Sequence, residues 1–202
     1  LRSLDFDHPP ADPILVLRDW LDEAWSNAKV PNPNAMTLCT IRGDGAPAAR
    51  IVLLKDFDEH GAVFFTNRNS AKGMDLAGDP RVALVLHWDH MGRQVRIEGS
   101  VTETTDAESD AYFASRHPMS RLGALASDQS QPCDDRAALM ASLDAARQAC
   151  PDPDNPQRPA HWGGYRVSLD AVEFWQEGEH RLHDRVRYER TQARWTAQRL
   201  SP

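Results

Sequence analysis

Three basic side chains recur at alternate positions late in the chain: Arg181, His183 and Arg185, within Glu179-His180-Arg181-Leu182-His183-Asp184-Arg185. On an extended strand they project from one face, where three cations repel unless an anion or acids lie opposite. A phosphate or carboxylate ligand meets that need. So do Glu179 and Asp184 on an exposed strand, and spacing alone leaves both readings open. A second cationic set frames Ile51-Val52-Leu53-Leu54, which Arg50 and Lys55 bracket. Lys72 follows Ser70 near an expected helix start, where free backbone N–H groups also attract anions. Tyr112 and Arg116, four apart on one helix, share a face and could meet a phosphate together. Trp175 could stack on a planar ring, although a tryptophan more often ends in the core.

Other chemistries lack their signatures. There is no G-x-x-x-x-G-K-[ST], no H-E-x-x-H and no G-x-S-x-G. Gly43-Asp44-Gly45 falls between two strand-like runs and reads as a hairpin turn, not as a dinucleotide loop. His87 and His90, like His180 and His183, are three apart in segments that do not read as helices, so each pair diverges and no metal site is expected. Cys39, Cys133 and Cys150 form an odd set without C-x-x-C spacing, which fits a reducing compartment. No apolar run approaches the roughly 20 residues of a membrane helix, and the first ten residues carry acids and prolines instead of a leader pattern. The expectation is a cytoplasmic protein without membrane attachment. Lys+Arg 23 against Asp+Glu 30 gives a net charge of -7, which argues against broad nucleic-acid binding.

The elements that must position these residues follow from periodicity. Asp12-Pro13 starts a helix that Ile14, Leu17, Leu21, Ala24 and Trp25 carry to about Ala28. Strands are expected at 35–41, 48–54, 62–66, 81–88 and 93–104, with a polar turn at 56–61 and a short helix capped by Ser70. Thr105-Asp106-Ala107-Glu108 fits a capping box opening a helix to about Ser115, and another helix reads from Asp134 to about Gln148. Four prolines make 150–159 an irregular connector, before strands at 165–169, 171–175, 185–190 and 195–200. Consecutive strands without βαβ alternation imply a mainly β, α+β chain: an antiparallel barrel with flanking helices. Its 202 residues suit one domain, comprising an arm and helix (1–34), core strands (35–104), a helical segment with connector (105–160) and C-terminal strands (161–202).

Several stretches together resemble the pyridoxamine/pyridoxine 5'-phosphate oxidase family. They are Arg50 to Lys55, Phe64-Phe65-Thr66-Asn67, Arg93-Gln94-Val95, Tyr112 to Arg116, Gln129-Ser130, Trp162 to Arg166, and Glu173-Phe174-Trp175-Gln176 running into Glu179 through Arg185. The resemblance implies an FMN-binding split barrel and a homodimer with both sites at the subunit interface. It implies oxidation of pyridoxamine or pyridoxine 5'-phosphate to pyridoxal 5'-phosphate, with hydride passing to FMN and then to O2 to give hydrogen peroxide. By position, Arg50, Ile51, Val52, Leu53, Leu54 and Lys55 should line the flavin, with Arg50 toward its phosphate. Phe65, Thr66 and Lys72 should continue the phosphate and ribityl site, and Gln94 should hydrogen-bond the isoalloxazine. Gln129, Ser130, Trp175 and Arg185 complete the cofactor site, some from the partner subunit. Lys55, Tyr112, Arg116 and Ser120 should hold the substrate phosphate. Arg181 and His183 should lie over the substrate ring near the reacting carbon, as the catalytic pair.

The chain departs from that pattern in places. Ala71 stands where the family often has arginine, removing a charged hydrogen bond worth roughly 1.5–3 kcal/mol. Phe65 replaces a common tyrosine. His117-Pro118-Met119 forms a less polar loop, Met119 and Leu125 could reshape the substrate mouth, and the N-terminal arm is short. An oxidase of a reduced planar ring, such as a dihydrophenazine, would not need the substrate-phosphate bases. A non-catalytic flavin or pyridoxal-phosphate binding module is the third reading.

Overall fold

The computed structural model describes residues 4–192 and 194–202; residues 1–3 of the expected arm lie outside them. Asp12 accepts a hydrogen bond from the Ile14 N–H at 2.9 Å and Pro13 pre-sets the first turn, so helix α1 runs Pro13–Ser26. Its apolar stripe buries Leu17, Trp20 and Ala24, and the Trp20 ring meets Phe174 edge-on at 5.2 Å. Strands β1 (Ala35–Ile41) and β2 (Pro47–Leu53) form a hairpin. Its turn closes through the Gly45 N–H onto the Arg42 carbonyl at 2.8 Å, with Gly45 at φ +81°, a left-handed conformation that glycine adopts freely. The Gly-Asp-Gly run is thus a hairpin turn.

After β2 come β3 (Asp56–Asp58), β4 (Gly61–Asn67), α2 (Ala71–Gly78), β5 (Arg81–Trp88) and β6 (Arg93–Glu103). Helices α3 (Asp106–Ser115), α4 (Pro118–Ala126) and α5 (Arg136–Ala149) follow. The chain closes with β7 (Trp162–Val167), β8 (Ala171–Gln176), β9 (Asp184–Thr191) and β10 (Arg194–Arg199). Every strand pairing is antiparallel, in the order β10-β9-β8-β6-β5-β1-β2, with β7, β4 and β3 branching from the far end of β6. Strand β6 serves both parts: Arg93 to Glu98 pair with β8, and Val101 to Glu103 pair with β7. Between them sits Gly99, where a Cβ would overlap the Ser168 carbonyl oxygen, so the strand can turn there only without a side chain. The sheet curls into a half-barrel flanked by helices.

Alternation decides which side chains face the core. Met36 and Leu38 on β1, Leu84 and Leu86 on β5, Val95 and Ile97 on β6, and Phe174 on β8 are buried on the inner face. Each such side chain contributes about 1.5–3 kcal/mol of burial. Their outward neighbours Thr37, Cys39, Val85, Gln94 and Arg96 are half-buried.

Three segments differ from the sequence expectation. The turn expected at 56–61 contains β3, which pairs with β4 at Asp56↔Val63. The loop expected at 117–119 instead starts α4, with the His117 side chain accepting from the Met119 N–H at 3.2 Å and Pro118 at N1. Residues Glu179–Arg181 form a 3-10 turn with His180 and Arg181 at φ +55° and +64°. Arg181, His183 and Arg185 therefore do not share one strand face, because β9 begins only at Asp184.

Candidate active site

A cleft of about 610 Å³ opens between the outer face of β2, the end of β4, and helices α2, α3 and α4. The β2 alternation turns Ile51 and Leu53 outward into it, 64% and 41% exposed. Phe65 from β4, Tyr112 from α3 and Trp162 from β7 form its aromatic wall. Their rings are nearly parallel, with Phe65 4.2 Å from Tyr112 and 5.4 Å from Trp162. Gly164 makes this close layering possible, since a Cβ there would press on the Phe65 ring.

Basic groups converge on that wall. Lys55 Nζ lies 5.6 Å from the Tyr112 ring centroid, and the Arg116 guanidinium lies 4.9 Å from that of Trp162. Arg116 Nη1 is buried without a hydrogen-bond partner, and burial lowers the Arg116 pKa. Lys72, in the first turn of α2, points its ammonium at Thr66 Oγ1 (3.2 Å), Ser70 Oγ (3.2 Å) and Gln129 Oε1 (3.1 Å). Burial, with the Arg50 charge nearby, lowers the Lys72 pKa from its usual value. Among the described residues no carboxylate pairs with Lys55, Lys72 or Arg116, whereas most arginines of the chain are ion-paired. Lys72 and Arg116 are partly desolvated cations without acids, Lys55 stands exposed beside them, and such a set marks a place that an anion completes.

Arg50 does not line the cleft: it lies on the inner side of β2 beneath α2, donating to Thr40 Oγ1 at 2.6 Å and to Asp75 Oδ2 at 3.2 Å, close enough to Lys72 for its charge to be felt there. Met119 is exposed outside the cleft wall. Leu125 lines a separate apolar hollow with Ala146 and Cys150, and neither residue lines the cleft.

A second group stands on the outer face of the sheet. Gln94, Trp175 and Arg185 occupy one register row across β6, β8 and β9. His183 packs against Trp175 with ring centroids 4.7 Å apart, and its Nδ1 accepts from the Gly178 N–H at 3.2 Å. Arg181 is exposed at the tip of the preceding turn. None of these five residues lines the cleft of the same chain.

Comparison with known proteins fits this layout. Residues 22–150 match the family model described as pyridoxamine 5'-phosphate oxidase, and residues 162–202 match the pyridoxine 5'-phosphate oxidase C-terminal dimerisation region. The chain belongs to the pyridoxamine 5'-phosphate oxidase family. It is 51% identical to a pyridoxine/pyridoxamine 5'-phosphate oxidase of Cupriavidus pinatubonensis, covering 100% of this chain and 94% of that protein. A Novosphingobium aromaticivorans protein of the same name is 50% identical over 96% of this chain and 95% of its own. Among solved structures, PhzG from Burkholderia lata in complex with tetrahydrophenazine-1-carboxylic acid superposes with TM-score 0.91. It is 31% identical, covering 100% of this chain and 98% of that one. A pyridoxamine 5'-phosphate oxidase-related, FMN binding protein from Nostoc punctiforme shares the fold at TM-score 0.76 and 18% identity, covering 96% and 100%.

Of the residues that family resemblance pointed to, the cleft brings together Ile51, Val52, Leu53, Lys55, Phe65 and Thr66. It adds Lys72, Tyr112, Arg116, Ser120 and Gln129. Leu54 is buried on the side facing α1, and Ser130 stands exposed at φ +73° beside Gln129. Sequence reasoning assigned no role to Asn67, whose side-chain amide donates to the Ser127 carbonyl at 3.4 Å, or to Trp162, which carries Arg116. The signal available for Trp162 was its place immediately before Gly163-Gly164. The residues present fit FMN: an acid-free, half-buried ammonium among hydroxyl and amide groups suits its phosphate, and exposed Ile51 and Leu53 suit an apolar ring.

Proposed function

We propose that this chain is a cytoplasmic, FMN-dependent oxidase that converts pyridoxamine or pyridoxine 5'-phosphate to pyridoxal 5'-phosphate. The observation that carries the reading is the convergence of three acid-free cations, Lys55, Lys72 and Arg116, on one cleft with an aromatic wall. One phosphate would leave part of that charge unmatched; a phosphorylated cofactor together with a phosphorylated substrate match it. Lys72, Thr66, Gln129 and Ser130 would hold the FMN phosphate and ribityl chain. The FMN chemistry is two-electron oxidation, with O2 as final acceptor and hydrogen peroxide as product. Lys55, Tyr112, Arg116 and Ser120 would grip the substrate phosphate and so fix the reacting carbon.

Gln94, Trp175, Arg181, His183 and Arg185 would come from the partner subunit of a homodimer, since they lie outside the cleft of their own chain. The matched dimerisation region supports this arrangement. With Nδ1 accepting from Gly178, a neutral His183 carries its proton on Nε2 and offers a hydrogen bond to substrate there. Arg181 adds a positive charge beside it.

The likeness to PhzG supports a second reading, oxidation of a reduced tricyclic ring. One experiment separates them. Anaerobic mixing of FMN-loaded protein with pyridoxine or pyridoxamine 5'-phosphate should bleach the flavin absorbance, and oxygen should restore it with pyridoxal 5'-phosphate formed. Bleaching by a reduced phenazine carboxylic acid alone would select the second reading.

A further inference from the structure

Glu173 is a charged residue on the outward face of β8, yet it is only 3% exposed. Two arginines cover it. Arg185 donates from both Nε (3.0 Å) and Nη2 (2.9 Å) to its Oε1, and Arg96 of β6 approaches Oε2 through Nη1 at 3.5 Å. The choice of partner is informative. The residue directly opposite Glu173 across the β8–β9 pair is Arg187, not Arg185. Arg187 instead turns to Glu98, with bonds of 3.0 and 2.8 Å, and to Glu189 at 3.0 Å. That leaves the buried carboxylate to take Arg185 along the diagonal.

A guanidinium has five N–H groups in a rigid fork. In Arg185 two go to Glu173, and a third, on Nη1, goes to the Ser201 carbonyl at 2.9 Å. Two remain, one on each terminal nitrogen. They belong to a group pinned on both edges, standing in the register row of Trp175 and Gln94.

We infer that Glu173 is a positioning residue that sets both the orientation and the effective charge of Arg185 toward the flavin. This rests on the proposed reading that Arg185 of one subunit meets FMN. By pairing Arg185 in two hydrogen bonds, the carboxylate cancels much of its field while leaving two donors aimed by the fork. The flavin is then hydrogen-bonded without facing a bare positive charge, which would favour its reduced, anionic form.

The test uses the FMN-loaded holoenzyme and measures the midpoint potential of bound flavin and the FMN dissociation constant by flavin fluorescence. Glu173→Gln keeps shape and one acceptor but removes the charge. It is expected to raise the flavin potential while changing the FMN dissociation constant less than about threefold. Arg185→Ala is expected to weaken FMN about tenfold or more, and in that background Glu173→Gln should no longer move the potential. An unchanged potential in Glu173→Gln, alongside an Arg185→Ala effect on FMN, overturns the positioning role. An equal shift with and without Arg185 also overturns it, because Glu173 would then act directly. If Arg185→Ala alters neither affinity nor potential, the reading that Arg185 meets FMN fails, and the inference with it. Glu173→Gln is close enough in shape to fold where a truncation would not.

Discussion

Arg116 and Lys72 show how a site is built from charges denied their usual partners. Arg116 rests on Trp162 with a buried, unpartnered nitrogen, so an incoming phosphate gains a charge-assisted bond already stripped of water. Arg116→Ala should raise KM for the phosphorylated substrate roughly ten- to a hundredfold with less effect on kcat, measured by steady-state kinetics. Lys72 titrates below its usual 10.5 because burial and then Arg50 disfavour its charged form. The unfolded chain therefore binds more protons in the window just below 10.5, and the cofactor-free protein should gain stability as pH rises through it. With Lys72 holding the FMN phosphate as proposed, FMN binding should weaken across the same window. Lys72→Met should flatten both slopes and loosen FMN roughly ten- to a hundredfold, read by thermal melts and fluorescence titration. Ala71→Arg adds a cation beside the same helix start and should tighten FMN about tenfold. The types of these residues were plain in the sequence, but their partners were not. Arg50 looks like one more phosphate ligand in the sequence, and its pairing with Asp75, 25 positions away, is invisible to spacing.

At the scale of elements, local signals survived best. The Thr105–Glu108 capping box forms as its spacing demands, with Glu108 Oε2 accepting the Thr105 N–H at 2.8 Å. Helix α4 escaped notice because a proline after a histidine reads as a loop, although Pro118 at N1 is a start signal. The three-residue β3 is too short for periodicity, and no pattern foretells positive φ at His180 and Arg181. Helix α2 is held close by Gly73, where a Cβ would overlap the Arg68 carbonyl oxygen. Gly73→Ala should push this turn outward, cost about 1–3 kcal/mol in urea unfolding, and displace Lys72 enough to weaken FMN as well. The arm before α1 is tied to the sheet by the Tyr188 hydroxyl donating to the Pro10 carbonyl at 3.0 Å. Burial and Asp12 push the Tyr188 pKa up to about 12. Its folded pKa lies above the unfolded one, so stability is held below about pH 10 and lost as the unfolded chain ionises between 10 and 12. Tyr188→Phe should cost about 1 kcal/mol at neutral pH and soften the alkaline loss.

For the whole molecule, the half-barrel and its antiparallel order were legible because hairpin turns and alternating strands repeat along the chain. The division of the proposed site into two separated groups came only from the family resemblance, since spacing says nothing about which copy of the chain a residue serves. Ile51, exposed on the outer face of β2, is an apolar side chain of the kind a second subunit would cover. Ile51→Glu should shift the protein toward monomer in light scattering and abolish turnover together. The distance between the cleft and the Gln94–Trp175–Arg185 row on one chain has a genetic counterpart. Two inactive variants, one damaged at Lys72 and one at Arg185, would each be defective alone. Mixed dimers would carry one site with both lesions and one with neither. Co-expression would then rescue roughly a quarter of wild-type activity when the subunits pair at random, as complementation between alleles of one gene.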